Sequence, residues 1–275
     1  MRLGTVRRNG TTQAFRQENG ATTYLPANDV GELLLREDWR TLAGEEGQEP
    51  AAADLDTPIL RPGKILCAGL NYYAHAEEVG QDVPKHPTIF TKMHNALVGP
   101  NDDVQMPEAS RKIDWEAELT IVIGKTIRKV DEAAARDAIL GYTVMNDVSV
   151  RDWQGRTSEW FQGKNWDRMT PVGPVVVTAD EIDPADGLAV ECELDGVVKQ
   201  SGTTSDLIFS CAKLVSYISE FMTLEPGDII ATGTPAGVGL ARKPREWIPV
   251  GAELVTRIEG IGELRNKCVA EPTAG

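Results

Sequence analysis

Asp114-Trp115-Glu116-Ala117-Glu118-Leu119-Thr120-Ile121-Val122-Ile123-Gly124 is the stretch on which the fold and the chemistry of this chain turn. It reads as a β-strand that enters through acid and continues through apolar residues. Strand side chains alternate between faces, so Glu116 and Glu118 point the same way. Two carboxylates side by side on so apolar a strand repel each other. A metal ion, a basic partner or a shared proton must neutralise them. Spacing by itself also fits a solvated strand face.

The segments around this strand are further strands with few helices. Lys64 to Leu70 reads as a short buried strand, and Asn71 to Gly80 has helical character. Pro87 to Lys92 is a strand, and Val98 to Asp103 a turn. Asp131 to Leu140 reads as a helix leading into the strand Gly141 to Asp147, which ends in acid. Residues 149–167 read as loop with some helix, and Gly173 to Val177 as a strand. Val190 to Val198 carries the Asp-Gly signal of a hairpin. Ser205 to Met222 has apolar residues at helical spacing. The strand Ile229 to Thr232 runs into a glycine-rich loop ending at Gly239, and Glu253 to Val269 reads as a long strand or hairpin. Many strands without regular βα alternation predict a mainly β fold with some α. Residues 1–60 differ: a small antiparallel sheet over 2–25, a short helix after Ala27-Asn28-Asp29, and a linker from Glu45 to Pro58. They read as a small N-terminal accessory domain and linker, with the main domain over residues 61–275.

The chain has 275 residues, enough for a sizeable core. Its net charge of −14 and pI of about 4.7 argue against nucleic acid or an anionic membrane as partners. An anionic substrate would then need local positive charge, which a bound cation can supply. No apolar run approaches a membrane span, and the basic N-terminus lacks the apolar core of a signal peptide, so the expected location is cytoplasmic. Cys67, Cys192, Cys211 and Cys268 are far apart in sequence and are expected as buried thiols.

Three carboxylates, Glu116, Glu118 and Asp147, offer hard oxygen donors suited to Mg²⁺, Mn²⁺ or Ca²⁺ and not to structural zinc. His75 and Glu78 lie three apart on the helical stretch. A carboxylate beside an imidazole orients it as a general base, although the pair also fits an exposed surface contact. Lys164 sits among aromatic residues next to Gly163, as a cleft lysine or a surface one. Arg151 and Gln154 follow Asp147 closely, and Arg suits a bidentate grip on a carboxylate. Thr234, in the Thr-Gly-Thr-Pro loop at 232–235, offers a hydroxyl and neighbouring backbone N–H groups to an oxyanion. That loop is not a P-loop, and no Ser hydrolase elbow is present. His86 and His94 are given no role.

Taken in order, KILCAGLNYYAHAEE, PTIFTKMHNALVGPNDDV, IDWEAELTIVIGK, GYTVMNDVSVRDWQ, QGKNWDRMTPVGP, LEPGDIIATGTPAGVG and IEGIGELRN resemble the fumarylacetoacetate hydrolase family, over residues 62 to 265. The resemblance implies a catalytic domain with a mixed β-sandwich roll, preceded by a small N-terminal α+β domain. It implies a divalent metal, usually Mg²⁺, held by Glu116, Glu118 and Asp147. It implies a water-activating dyad of His75 and Glu78 on a lid helix, with Lys164 as the family lysine. Arg151, Gln154 and Thr234 fall at its substrate positions. A homodimer and a small anionic keto-acid substrate are implied as well. Tyr73, Trp115, Phe161 and Gln162 depart from frequent family residues near the pocket. The expected reaction is hydrolysis of a carbon–carbon bond in a 2,4-dioxo acid of the acylpyruvate type. Decarboxylation of an oxaloacetate-type acid and isomerisation of a hydroxy-dienedioate are the alternatives on the same site. A non-catalytic metal-binding protein would be expected to lack the dyad or the lysine, and all are present.

Overall fold

Two Asn-Gly pairs start the fold. In the computed structural model, which describes residues 1–272, Asn9, Gly10, Asn19 and Gly20 all have positive φ. Such turns match the twist of paired strands, and they join β1 (Arg2–Arg8), β2 (Thr11–Glu18) and β3 (Ala21–Tyr24) into an antiparallel meander. α1 (Val30–Leu34) follows, capped by Asp29, whose side chain accepts the Glu32 N–H at 2.6 Å. The Glu45–Pro58 stretch, expected as linker, contains two short strands. β4 (Glu45–Gly47) pairs with β3, and β5 (Leu55–Asp56) pairs with β1.

The central elements follow in order. They are β6 (Ile65–Gly69), α2 (Tyr73–Glu78), β7 (Thr88–Lys92), β8 (Leu97–Val98), β9 (Val104–Met106), β10 (Ile113–Asp114) and β11 (Ala117–Ile123). Next come α3 (Glu132–Ala138), β12 (Ile139–Asn146), β13 (Ser149–Val150), α4 (Arg151–Gln154), α5 (Phe161–Lys164) and β14 (Thr170–Thr178). The chain closes with β15 (Ala189–Leu194), β16 (Val197–Thr203), α6 (Cys211–Phe221), β17 (Ile229–Ala231), β18 (Glu253–Ile258) and β19 (Gly262–Ala270). The helix expected from Ser205 begins at Cys211, because the Ser210 hydroxyl accepts the Lys213 N–H and caps it there.

The larger sheet has the order β4-β3-β2-β1-β14-β12-β11-β17-β6-β7, and the second sheet has the order β16-β15-β18-β19-β9. The first sixty residues, expected as an accessory unit, extend the larger sheet: Arg2 and Leu3 of β1 register with Val177 and Val176 of β14. β17 and β6 run parallel within an otherwise antiparallel neighbourhood, which makes the sheet mixed. Leu119, Ile121, Val144 and Val177 pack against Val190, Cys192, Leu254 and Leu264, so one core lies between the sheets. Val122, Leu140 and Val176 face the other way and pack with Val30, Leu33 and Leu34 of α1. A strand covered on both faces reads as a continuous apolar run, as β11 does. Each aliphatic side chain buried there contributes roughly 1.5–3 kcal/mol. The mainly β sandwich is the fold class expected from the sequence. All four cysteines are buried free thiols.

The opening stretch is not one strand. It breaks at Trp115 and Glu116, with β10 pairing β13 and β11 pairing β12 and β17. The backbone N–H groups there are held by side chains instead of a neighbouring strand. Asp114 accepts the Trp115 N–H, Asn146 the Glu116 N–H and Gln200 the Ala117 N–H.

Gly141 in β12 leaves no room for a side chain, since a β-carbon there would lie 2.0 Å from the Val177 carbonyl oxygen. Gly141→Ala is expected to cost about 1–3 kcal/mol of stability through overpacking, read as a lower urea midpoint. An unchanged midpoint would show that β12 and β14 can separate freely at this point.

Candidate metal centre and active site

β11 and β12 deliver the acids. Asp147 follows β12, and its N–H donates to the Glu116 carbonyl at 2.8 Å, which locks the two strand ends together. One carboxylate oxygen from each of Glu116, Glu118 and Asp147 lies within 4.8 Å of the others, and all three residues are buried. The solvated-face alternative is thereby removed.

Cations surround this cluster. Lys164 Nζ donates to Glu116 Oε2 and, at 2.7 Å, to Asp147 Oδ2. Lys92 Nζ donates to Asp147 Oδ1 at 2.7 Å, with its side chain fully buried. Arg151 donates to Glu116 Oε1 at 2.7 Å, to Asp114 Oδ2 at 2.8 Å and to Gln154 Oε1 at 2.9 Å. Glu118 has no such partner among the described residues: only the Gly233 N–H reaches it, at 2.8 Å. Burial works against ionising Glu116, but Arg151 and Lys164 outweigh it and hold the carboxyl well below its usual range. Glu118 goes the other way, well above the usual range, through burial and then the negative charges of Asp147 and Glu116. Burial would lower the Lys164 ammonium, yet Asp147 and Glu116 raise it.

These residues fit a hard divalent cation. Glu118 is a buried carboxylate with no cation bonded to it, and the charges of Asp147 and Glu116 outweigh that of the more distant Lys164. An ionised carboxylate oxygen has two acceptor directions, so the bonds from Lys92, Lys164 and Arg151 leave capacity on Glu116 and Asp147. Mg²⁺, Mn²⁺ or Ca²⁺ would be held by Glu116, Glu118 and Asp147. Asp114 is no ligand: its carboxylate accepts from Gly239 N–H, Leu240 N–H and Arg151, and so caps the turn after the glycine-rich loop.

His75 and Glu78 sit on α2, with His75 Nδ1 3.0 Å from Glu78 Oε2. The other Glu78 oxygen accepts the Gly237 N–H at 2.8 Å, and the Ala74 N–H donates to Asp206 at 3.0 Å. The helix is thus pinned at both ends, on the glycine-rich loop through Glu78 and on Asp206 through the Ala74 N–H. A carboxylate at Nδ1 favours the tautomer with a proton there and a free lone pair on Nε2. Thr234 and Gln154 also converge on this region. The Thr234 hydroxyl accepts from Gln200 at 2.7 Å, and Gly163 packs directly on Gln154. The absence of a side chain at Gly163 lets α5 press against α4 and deliver Lys164.

Arg151, read as a grip for substrate, has three of its nitrogens engaged by Asp114, Gln154 and Glu116. Sequence reasoning assigned nothing to Lys92, Asn146 or Gln200. A lysine closing an otherwise uncharged strand, Thr88–Lys92, was the available signal for the first; nothing local marks the other two. A cavity of about 1020 Å³ lies between α1 and residues 124–126, 137–140 and 225–228, and none of the candidate residues lines it. With α2 docked, the carboxylates are enclosed, so cavity size does not point to them.

The family model for the fumarylacetoacetate hydrolase C-terminal domain matches residues 64–269. Over 244 residues the chain is 42% identical to the mitochondrial oxaloacetate tautomerase FAHD2A of Homo sapiens, covering 88% of this chain and 78% of that protein. A solved fumarylacetoacetate hydrolase from Exiguobacterium antarcticum matches with a TM-score of 0.87 and 32% identity, over 98% of this chain and all of that one, 100%. A 5-carboxymethyl-2-hydroxymuconate delta-isomerase from Mycobacterium smegmatis matches with a TM-score of 0.80 and 35% identity, over 99% of this chain and 100% of that one.

Because the folded state holds Glu118 above its ordinary range, protonated Glu118 favours folding below the unfolded-state value. That contribution fades as pH rises through the folded-state value. Glu118→Gln is therefore expected to raise the melting temperature of metal-free protein at pH 7. It should also abolish stabilisation by Mg²⁺, which in the parent protein amounts to about 2.7 kcal/mol at a hundredfold excess over Kd. Calorimetry with and without Mg²⁺ checks both; a Mg²⁺ shift surviving in the variant would remove Glu118 from the ligand set.

Proposed function

We propose, from the premise that the chain belongs to the fumarylacetoacetate hydrolase family, that it is a divalent-metal-dependent enzyme moving a proton at carbon 3 of a 2-oxo acid. The reaction we assign is interconversion of the keto and enol forms of an oxaloacetate-type diacid. The observation that carries this is the His75 imidazole, oriented by Glu78 on a helix docked to the same glycine-rich loop whose Gly233 N–H reaches Glu118 of the three buried carboxylates, with the Lys164 ammonium beside them. The 42% identity to an oxaloacetate tautomerase, across 88% of the chain, favours this reaction over others of the family.

A cation bound by Glu116, Glu118 and Asp147 supplies Lewis acidity toward the substrate's 2-oxo group. The other roles belong to this chain. His75 Nε2 takes the proton from carbon 3, and Glu78 stabilises the imidazolium that forms. An ammonium has three N–H groups, and two of those on Lys164 are bonded to Glu116 and Asp147. The third is left for the negative charge that develops on the 2-oxo oxygen. Return of the proton to that oxygen gives the enol. Four carboxylates and three cations make up the buried cluster, so one divalent ion turns the local balance positive and suits an anionic substrate. With the guanidinium of Arg151 already bonded, the substrate carboxylate falls to Gln154 and Thr234. The docked α2 excludes bulk water during the transfer.

Hydrolysis of an acylpyruvate, the reaction expected from the sequence, is the second reading. The same His75 would deprotonate water, and the pinned dyad favours it, as does the likeness to a fumarylacetoacetate hydrolase.

His75→Ala is expected to lose 10²–10⁴-fold in rate while binding Mg²⁺ as before, measured by enol absorbance and by isothermal titration. Oxaloacetate, acetylpyruvate and fumarylpyruvate form the substrate panel. Faster release of pyruvate and acid from an acylpyruvate than tautomerisation of oxaloacetate would replace the first reading by the second. A His75→Ala enzyme as fast as the parent would sink both.

A further inference from the structure

We infer that Gln200 is a positioning residue: it makes the Thr234 hydroxyl a donor toward an acceptor-only oxygen of the substrate. This rests on the 2-oxo acid reading above. Gln200 is the one fully buried residue of β16, 1% exposed, on an edge strand where Val197, Val198 and Ser201 are open to solvent. A buried primary amide on an edge strand has to find its partners inside.

It finds three, from two different parts of the site. Its Oε1 accepts the Ala117 N–H at 2.9 Å, and Ala117 stands between the two glutamates. Its Nε2 donates to the Pro235 carbonyl at 2.8 Å and to Thr234 Oγ1 at 2.7 Å. Chemistry settles which end of the amide is which. The Ala117 N–H can only donate, and the Pro235 carbonyl can only accept, so both hydrogens of Nε2 go to the loop. Thr234 is therefore an acceptor toward Gln200, and its own proton must go elsewhere. Among the described residues no acceptor takes it. Thr234 is 4% exposed and follows Gly233, whose N–H is on Glu118, so this unmatched donor lies beside the carboxylate cluster.

The reach of Gln200 is not adjustable. The loop lies on β16 without intervening side chains: a β-carbon on Gly202 would stand 2.5 Å from Pro235, and one on Gly237 would stand 2.3 Å from the Lys199 carbonyl. The loop already lies as close to β16 as backbone contact allows, which holds the Thr234 hydroxyl within reach of the amide. An ionised carboxylate or a keto oxygen accepts and never donates, so an acceptor-only oxygen of a 2-oxo acid is what this donor suits.

A double-mutant cycle tests this, with Thr234→Val, Gln200→Met and the pair. Thr234→Val should raise KM for oxaloacetate about tenfold, the effect of one hydrogen bond to a charged group, with kcat and Mg²⁺ affinity held within about twofold. Gln200→Met should raise KM by a similar factor, and the double variant should lose nothing further. Gln200→Glu keeps an acceptor for Ala117 but offers Thr234 another acceptor, which draws the hydroxyl proton away. It should show the same rise in KM, and it carries the test if Gln200→Met fails to fold. Full additivity in the double variant would overturn the inference, because Gln200 would then act independently of Thr234. So would a loss of Mg²⁺ affinity as large as the rise in KM, because Gln200 would then act through the glutamate strand. If the parent enzyme does not act on oxaloacetate, the functional reading fails, and the cycle is read as the Kd of oxalate with Mg²⁺ present. A Kd pattern matching that expected for KM supports the role of Gln200, and an unchanged Kd overturns it.

Discussion

Mutual repulsion among three buried carboxylates is the constraint on which the rest of this structure depends. Glu116, Glu118 and Asp147 bring their oxygens together where burial makes each charge costly. The fold does not solve this with one partner. Lys92, Lys164 and Arg151 attend Glu116 and Asp147, while Glu118 keeps a single backbone N–H. The asymmetry leaves an excess of negative potential on one side of the cluster, where a hard cation is stabilised most.

The sandwich supplies the stiffness that such crowding requires. β11 is buried on both faces, so its register cannot slip without exposing an apolar row. Where the strand breaks to turn its acids inward, the backbone N–H groups pass to the side chain of Asp114 just before the break and to Asn146 and Gln200 from two other segments. Asn146 also donates to Thr256 of β18, and Gln200 belongs to β16, so the second sheet takes part in holding the site. The face that looks like a mere covering layer thus helps set the spacing of the carboxylates and of the loop that meets them. α2 completes the enclosure, since Glu78 both orients His75 and docks the helix on Gly237.

Much of this was legible in the residues. The alternation of Glu116 and Glu118, the acid ending β12 and the His75–Glu78 spacing are local patterns, and the structure brings all five side chains into one region. The strand count and the lack of βα alternation gave the fold class. Four readings needed adjustment, the first being the start of α6, which the Ser210 cap sets at Cys211. The Asp114–Gly124 stretch is broken, because side chains outbid a neighbouring strand for its N–H groups. The Glu45–Pro58 segment carries paired strands, because its edge positions complete a meander begun by Asn9-Gly10 and Asn19-Gly20. Arg151 turns inward, because two buried acids lie within its reach.

The sequence by itself determined what is set by period and by neighbours along the chain: strands, caps, turns, and which acids share a face. Tertiary structure alone decided which charges meet. Lys92 reaches Asp147 across 55 positions, and Gln200 reaches Ala117 across 83, and no local pattern encodes either contact. The physical reason is that a buried ion or amide takes its state from whatever packs around it. Those neighbours come from strands that are adjacent in the sheets and distant in the chain.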